Sequence, residues 1–595
     1  MTDQNTVTFK LDGRDVTVPA GLTIMEAAER FGVYIPRLCY HPDLHLEGAC
    51  RVCIVHVKDM GYYMTSCSVK VWPGMEVETN SPEIRQARRD IVELLLDNHD
   101  MDCQTCERDG RCELQNLAYS CGVRQRYFEG ARKKLPIDES SASVIRNPNK
   151  CILCGRCHRV CAEVQGVFNL SQQGRGFKTI VGPGHLAQMD ESVCIQCGQC
   201  INVCPTAAFL EKRSTNDVWN ALADKSKHVV VQTAPSIRAA IGEGFGLPPG
   251  TPSTGKMVAA LRRLGFAGVF DTDFGADLTI MEESNEFLHR LENGGPFPLI
   301  TSCSPGWINF LEKFYPQLIP YASTCRSPMS MTSVLLKTYY AQKIGRDPRD
   351  IYVVAVMPCV AKKYEANRPE HRRADGTPYT DAVLTTRELI WMIQCYGIQY
   401  WTSSNIEFSS IPNDEFDSPL GIASGAGDIF GTTGGVMEAA LRTAAEKLTG
   451  KRLDKLEFTQ VRAVEGLREV EIALVGRTLN VAVANGLQNA KELLDKVVRG
   501  EKQYHLIEIM ACPGGCIGGG GQPYPPRGMK VLDPELLRLR ASALYRIDSE
   551  KQLRRSHENP AIQELYQNFL GAPGSEKAHE LLHTHYTAKT PRGIK

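Results

Sequence analysis

The chain opens on an alternation of apolar and polar residues. In VTFKLDG and RDVTV the alternation runs on either side of Asp12-Gly13, the pattern of two half-buried strands joined by a tight turn. TIMEAAERFG then switches to helical spacing closed by Gly32, so residues 1–80 read as a small β-rich domain. Residues 81–125 read as helical, most clearly over RQARRDIVELLLDNH. Further on, the apolar runs HVVVQTAP, AGVFDTD, PLITSC and IYVVAVMPC are separated by helical patterns, which predicts a large α/β body from about residue 215 to 530. The last stretch, 540–595, reads as a charged helical tail in which HENPAIQELYQNFLG is ended by Gly571.

Composition narrows the class. A length of 595 residues suits several domains, and 43% hydrophobic with 23% charged residues suits a globular protein. Lys plus Arg equals Asp plus Glu at 68 each, so net charge points to no nucleic-acid and no membrane partner. No run approaches the roughly 18 uncharged apolar residues of a spanning helix. The opening MTDQNTVTFKLDGRDVTV lacks a basic region followed by an apolar core, so no secretory signal is read there and the expected compartment is reducing and cytoplasmic.

Cysteine changes the picture most. Of 22 cysteines, sixteen lie between Cys39 and Cys204, many two residues apart, a placement for metal centres and not for disulfides. Cys39, Cys50, Cys53 and Cys67, spaced C-x10-C-x2-C-x13-C, fit a [2Fe–2S] cluster. Zinc accepts four thiolates as well, but the cluster motifs that follow favour iron. His99, Cys103, Cys106 and Cys112 form H-x3-C-x2-C-x5-C, a cluster site with one imidazole; His99 stands one helical turn before Cys103 if the helix continues. Cys151, Cys154, Cys157 and Cys161 are repeated by Cys194, Cys197, Cys200 and Cys204, the signature of two [4Fe–4S] clusters. Crossed ligation assigns Cys204 to the first cluster and Cys161 to the second. Cys121, Cys325 and Cys395 are left as buried thiols without a role.

Downstream, Cys303 in TSCSPGW, Cys359 in MPCVAKKYE, and Cys512 and Cys516 in EIMACPGGCIGGGGQP provide four thiolates on three loops for one more cluster. Gly514, Gly515 and Gly518–Gly521 are expected to let backbone approach a bulky cofactor.

These three segments resemble the signature loops of the iron-only, or [FeFe], hydrogenases, and the accessory set resembles that family's ordered clusters over about residues 1–530. The tail KAHELLHTHY resembles the end of its cytoplasmic NADP-reducing members. The resemblance implies an α+β multidomain chain. Its parts would be a β-grasp ferredoxin-like domain (1–80), a domain for the cluster with one histidine and three cysteine ligands (81–125), a double-cluster ferredoxin domain (141–212), the catalytic domain (215–530) and a small-subunit-like helical tail (531–595). It implies an H-cluster, in which a [4Fe–4S] cube is joined through one cysteine to a diiron unit carrying CO, cyanide and azadithiolate. Cys303, Cys359, Cys512 and Cys516 would hold it, Cys516 as the bridge. Lys362 would hydrogen-bond a cyanide, Met357 and Met510 would pack on the diiron unit, and Pro358, Gly515, Gly518 and Gly519 would line it. Glu283 and Glu286 resemble the family glutamates that lead protons outward. Where well-studied members carry two adjacent cysteines, this chain has Cys303-Ser304; the cube's need for thiolate assigns Cys303 to the cluster and Ser304 to proton transfer. The implied reaction is reversible H2 oxidation. Electrons would pass through one [2Fe–2S] and three accessory [4Fe–4S] clusters to a flavin- and NAD(P)-binding subunit, with small [2Fe–2S] subunits and ferredoxin as further partners. No dinucleotide-binding glycine fingerprint is present in the expected strand–helix setting. The competing readings are a hydrogen sensor or redox scaffold of the same fold, and an electron-input subunit of a respiratory or formate-oxidising complex.

Overall fold

The computed structural model describes residues 6–398, 406–462, 466–474, 477–526 and 529–590; the outer ends of the first and last expected domains, 1–5 and 591–595, lie outside the described residues. Strands β1 (Thr6–Leu11) and β2 (Arg14–Pro19) form the hairpin that their alternation predicts, with Asp12 and Gly13 both at positive φ. With β3 (Ile54–Val57), β4 (Tyr62–Thr65) and β5 (Glu76–Glu78) they make a sheet of order β2-β1-β5-β3-β4, in which only β1 and β5 run parallel. The helix Ile24–Arg30 starts in a capping box of Thr23 and Glu26, and its Ile24, Met25, Ala27 and Ala28 join the core of this sheet.

The helix Pro82–Asp97 stops at Asn98, so it does not continue to Cys103, and the expected helical turn between His99 and Cys103 is not formed. A 3-10 turn (Cys103–Thr105) and a second helix (Glu113–Ser120) follow. Leu38, Val52, Val92, Leu96, Leu114 and Ile152 share one apolar core, which joins the first three cysteine sites into a single body.

In the double-cysteine region β6 (Val144–Arg146) pairs with β9 (Phe209–Glu211), and β7 (Leu170–Gln173) with β8 (Ile180–Pro183), all antiparallel. The half-repeats share their backbone as well as their cysteines: Leu153 and Gln196 are both left-handed, as are Gly155 and Gly198 before the helices Arg156–Arg159 and Gln199–Val203.

The large domain holds two four-stranded sheets. One, β11-β10-β13-β14, is wholly parallel, built from β10 (His228–Thr233), β11 (Gly268–Asp271), β13 (Ile351–Met357) and β14 (Ala382–Thr385). The other, β12-β17-β16-β15, uses β12 (Leu299–Ile300), β15 (Leu467–Leu474), β16 (Arg477–Asn485) and β17 (Leu506–Met510), with only β15 antiparallel to its neighbour. The three cysteine-bearing segments leave the carboxyl ends of β12, β13 and β17, where parallel sheets present their loops.

The tail is three separate helices, Pro534–Glu550, Pro560–Leu565 and Glu576–Leu582, and it is pinned to the large domain. Fully buried Arg442 pairs with Asp548, Arg540 with Glu243, Glu312 with Lys589, and Glu282 accepts from Tyr566 Oη and Gly574 N. No helix among the described residues is long and apolar enough to cross a membrane. Two expectations for spare cysteines fail: Cys395, at the end of an amphipathic helix, is exposed and Cys121 half-buried, whereas Cys325 is buried as expected.

Candidate active site and its cysteine clusters

At the N-terminal sheet Cys39, Cys50, Cys53 and Cys67 are all buried and hydrogen-bond one another. Bonds from Cys50 and Cys67 pull Cys39 down to about 2, and a bond from Cys67 pulls Cys53 to about 7; Cys50 and Cys67, as the donors, are pushed up. Four converging thiols that stabilise thiolate in one another suit a site where metal replaces the protons.

Next along the chain, burial and the nearby Lys150 bring the His99 imidazole down to about 4, so it is neutral near pH 7, and its Nδ1 is buried without a hydrogen-bond partner. A neutral imidazole with an orphaned nitrogen fits a metal ligand. Cys112 is buried, with Cys106 among the groups that raise it, while Cys103 and Cys106 remain partly exposed.

The double-cysteine region sorts its ligands across the two half-repeats. Cys151, Cys154, Cys157 and Cys204 line one cavity of about 300 Å³, and Cys161, Cys194, Cys197 and Cys200 line another of about 380 Å³. Burial pushes Cys157, Cys197 and Cys200 well above the usual thiol range.

One side chain ties three of these four sites together. Arg156, 1% exposed, donates to the carbonyl of Tyr40, next to Cys39 (3.0 Å), to that of Val203, next to Cys204 (3.4 Å), and to both oxygens of Glu113, next to Cys112 (2.7 and 2.9 Å). Arg159 adds bonds to the carbonyls of Cys39 and Cys154. No motif marks these arginines; the pairing links segments over a hundred residues apart.

A cavity of about 650 Å³ lies where the loops after β10, β12, β13 and β17 converge. Cys303, Ser304, Cys359, Cys512 and Cys516 line it, within a wall that includes Pro235, Met329, Met357, Pro358, Phe430 and Met510. Burial raises the thiols here, Cys512 and Cys303 well above the ordinary value and Cys516 to about 12, with Cys359 as the next cause for Cys512 and Cys516. Lys362 is the only ammonium lining the cavity among the described residues; its Nζ donates to Ser327 Oγ (2.7 Å), Glu365 Oε2 (2.7 Å) and the Cys303 carbonyl (3.3 Å).

Packing also requires two of the glycines: a Cβ on Gly519 would lie 2.4 Å from the Pro358 carbonyl, and one on Gly518 2.1 Å from that of Pro513. Gly518 does not line the cavity, whereas Gly515 and Gly519 do. Gly520 packs on the Cys197 carbonyl, which seats the second ferredoxin-type site directly against the Cys512–Cys516 loop.

Glu283 and Glu286 share a face of the helix Thr272–Asn293, as their spacing predicts. Glu283 is buried, its Oε1 has no partner, and burial followed by Glu286 pushes it up to about 8. Ser323 connects the two, donating to Glu286 Oε2 (2.9 Å) and bonding Glu283; Arg290 closes the row on Glu286 (2.6 Å). After burial, Glu283 is the strongest influence on Cys303, followed by Cys516. The Ser304 hydroxyl instead accepts from the Ala511 N–H (3.3 Å), beside Cys512. The neighbours of the adjacent pair therefore run opposite to the assignment made on thiolate chemistry alone: Cys303 faces the glutamates and Ser304 the cysteine loop. Sequence reasoning also passed over Glu508, Ser323, Ser327 and Glu365. Glu508 is fully buried on β17, pushed up by burial to about 7 while accepting from Gly434 N and Met437 N (both 2.7 Å). The run EIMACP carried a signal for it, a lone acid inside an apolar strand.

Residues 227–520 match the family described as iron only hydrogenase large subunit, C-terminal domain, and residues 534–589 the iron hydrogenase small subunit. Residues 4–82 match a 2Fe-2S iron-sulfur cluster binding domain, 88–126 the NADH-ubiquinone oxidoreductase-G iron-sulfur binding region, and 150–208 a 4Fe-4S dicluster domain. The NADP-reducing hydrogenase subunit HndD of Solidesulfovibrio fructosivorans is 47% identical over 98% of both chains. Iron hydrogenase 1 of Clostridium pasteurianum is 40% identical over 97% of this chain and 99% of its own. Among solved structures, the [FeFe]-hydrogenase HydA1 of Chlamydomonas reinhardtii superposes with a TM-score of 0.55 at 45% identity, covering 63% of this chain and 98% of that one.

Proposed function

The chain belongs to the iron-only hydrogenase family and is an enzyme of it, and from that premise we propose that it interconverts H2 with two protons and two electrons at the 650 Å³ cavity. The observation that carries the reading is the convergence of Cys359, Cys512, Cys516 and the Cys303-Ser304 pair on one largely apolar space with the Lys362 ammonium in its wall and the buried Glu283 carboxyl beside it. That donor set fits an H-cluster: soft thiolates for iron, dry walls, and Lys362 to balance anionic ligands. When bound, the group supplies the low-valent iron at which H2 is cleaved.

The chain's own residues do the rest. Cys359, Cys512 and Cys516 would hold the group from two loops, Cys516 in the linking role that the resemblance implies, and the Ser304 hydroxyl, on the cysteine-loop side of the cavity, would serve as the fourth donor. Met357, Pro358, Met510, Met329 and Phe430 exclude water. Glu365 and Ser327 orient Lys362. Cys303 passes a proton between the cavity and Glu283, and Ser323 and Glu286 carry it on toward Arg290. Clusters held at the Cys161/Cys194/Cys197/Cys200 site and at the other accessory sites, three [4Fe–4S] and one [2Fe–2S] in all, would supply the route by which electrons leave the cavity. A flavin- and NAD(P)-binding subunit would then receive them in a cytoplasmic complex that includes small [2Fe–2S] subunits. The NADP-reducing name of the S. fructosivorans relative supports that placement.

Infrared spectroscopy of the matured chain under H2 tests the reading. Bands of iron-bound CO and cyanide together with H2-dependent reduction of a dye, but not of NAD(P)+, are expected from the isolated chain. Matured protein with neither bands nor dye reduction would refute it.

A further inference from the structure

The two half-repeats of the double-cysteine region diverge after their fourth cysteines. Cys204 is followed by Pro205, and the helix Gln199–Val203 stops before both. Cys161 is followed by Ala162, so the helix Arg156–Arg159 runs on as a π turn, Val160–Val164, capped at Gln165. The chain then wraps Cys161. The N–H groups of Val167 and Phe168 donate to its carbonyl (3.0 and 3.4 Å). Burial pushes its thiol up to about 11, and backbone bonds from Leu170, Asn169 and Phe168 oppose that push. This detour carries two carboxamides, Gln165 and Asn169, into the wall of the cavity of about 380 Å³ that Cys161, Cys194, Cys197 and Cys200 share. Gln165 is 1% exposed and Asn169 4%, and neither the nitrogen nor the oxygen of either side chain has a hydrogen-bond partner. Buried carboxamides are nearly always bonded, so two orphaned ones at a single cavity point to a partner inside it. Gln199, in the same wall, is already satisfied: it donates to the Gly518 carbonyl (3.0 Å) and accepts from Asn202 (3.2 Å). Thr206, in the wall of the twin cavity, donates to the Lys150 carbonyl (2.7 Å).

We propose that the Gln165 and Asn169 carboxamides donate their N–H groups to the sulfurs of the cluster held by Cys161, Cys194, Cys197 and Cys200, and so raise its reduction potential. The proposal rests on the reading that these four thiols hold a [4Fe–4S] cluster. Taking up an electron adds negative charge to such a cluster. N–H groups aimed at its sulfurs stabilise that charge and favour the reduced form. No carboxamide lines the Cys151/Cys154/Cys157/Cys204 cavity among the described residues, so the effect is confined to one of the twins. That twin is the one seated against the Cys512–Cys516 loop, where Gly520 packs on the Cys197 carbonyl. Gln165 and Asn169 therefore set how readily an electron rests beside the catalytic cavity.

The test is a redox titration of the full, cluster-loaded chain followed by electron paramagnetic resonance, and it needs no hydrogen turnover. The signal altered by Cys194→Ser marks this site. In Q165M/N169L its reduced-to-oxidised ratio, read at the ambient potential where the parent is half reduced, should fall by about 10-fold, a shift of about 59 mV for one electron. The step of the Cys151/Cys154/Cys157/Cys204 cluster should not move. A second reading uses the unmutated chain. Asn169 is the one asparagine among the described residues in the wall of this cavity, so nitrogen-15 placed in asparagine side chains alone should appear as a nitrogen coupling on this signal in pulsed measurements. Full cluster occupancy with an unmoved potential would overturn the proposal, as would equal shifts at both twins or the lack of any nitrogen-15 coupling. A parent without the signal would overturn the cluster reading itself, so the two failures are distinguishable.

Discussion

Cys303 and Ser304 are adjacent in the chain yet meet different chemistry: Glu283 is the charged group that acts most strongly on the Cys303 thiol, whereas the Ser304 hydroxyl accepts from the Ala511 N–H. The first prediction follows from that divergence. Ser304→Ala should lower iron in the catalytic cube and leave the accessory clusters intact, whereas Cys303→Ser should keep full iron and slow turnover by roughly 10²–10⁴-fold through lost proton transfer. Iron analysis and infrared spectra of both variants decide it; the opposite pattern would restore Cys303 to the cluster. The second prediction concerns Glu283, whose carboxyl is moved by burial from 4.5 to about 8. The native state therefore binds the extra proton between these values, and folding stability must fall as pH rises through that window and level off above it. Glu283→Gln removes this contribution, so its melting temperature should depend less on pH between 4.5 and about 8 than that of the parent. Parallel curves for the two proteins would show that Glu283 is not held neutral.

At the scale of elements, the candidate active-site cysteines sit on loops that follow parallel strands, and the accessory cysteine segments are held to one another by side-chain contacts. Arg156 clamps the segments carrying Cys39, Cys112 and Cys204, and against the pull of burial its guanidinium holds the Glu113 carboxyl down to about 2. Removing the carboxylate leaves a buried cation less compensated among three redox sites. Glu113→Gln should therefore raise the midpoint potentials of the flanking clusters, since a positive charge favours the reduced form. Redox titration followed by electron paramagnetic resonance reads this, and potentials that stay put would remove Glu113 from any tuning role. The glycine-rich loop makes the same point about packing: Gly519 is required by the Pro358 carbonyl and Gly520 by the Cys197 carbonyl, contacts that seat one cluster site against the next.

Over the whole molecule, the tail completes the catalytic domain. Asp548, from the helix Pro534–Glu550, receives two bonds of 2.9 Å from Arg442, which is fully buried and also bound to Glu438. Breaking one side of such a buried pair strands a charge and costs about 3–5 kcal/mol. Asp548→Ala should accordingly lower the thermal stability of the catalytic domain while the ferredoxin-type clusters keep their spectra. Unchanged melting would show that the tail is not structurally committed to the domain.

How much was legible in the sequence follows from the range of the interactions. The spacing of the sixteen candidate accessory ligands was readable because a cluster is held mainly by short loops, and spacings such as C-x2-C-x2-C limit which thiolates can converge; the Cys39 set and the two ferredoxin-type sets do come together in the fold. The strand–helix alternation of the large domain and the shared face of Glu283 and Glu286 were readable for the same reason, as periodicity is local. Which of Cys303 and Ser304 meets the glutamates, why Gly518 and Gly519 lack side chains, and how Arg156 and Glu508 come to lie at the sites were settled only by the fold. Each depends on a partner brought from a distant segment, and neither spacing nor composition records where a distant carbonyl or carboxylate will lie.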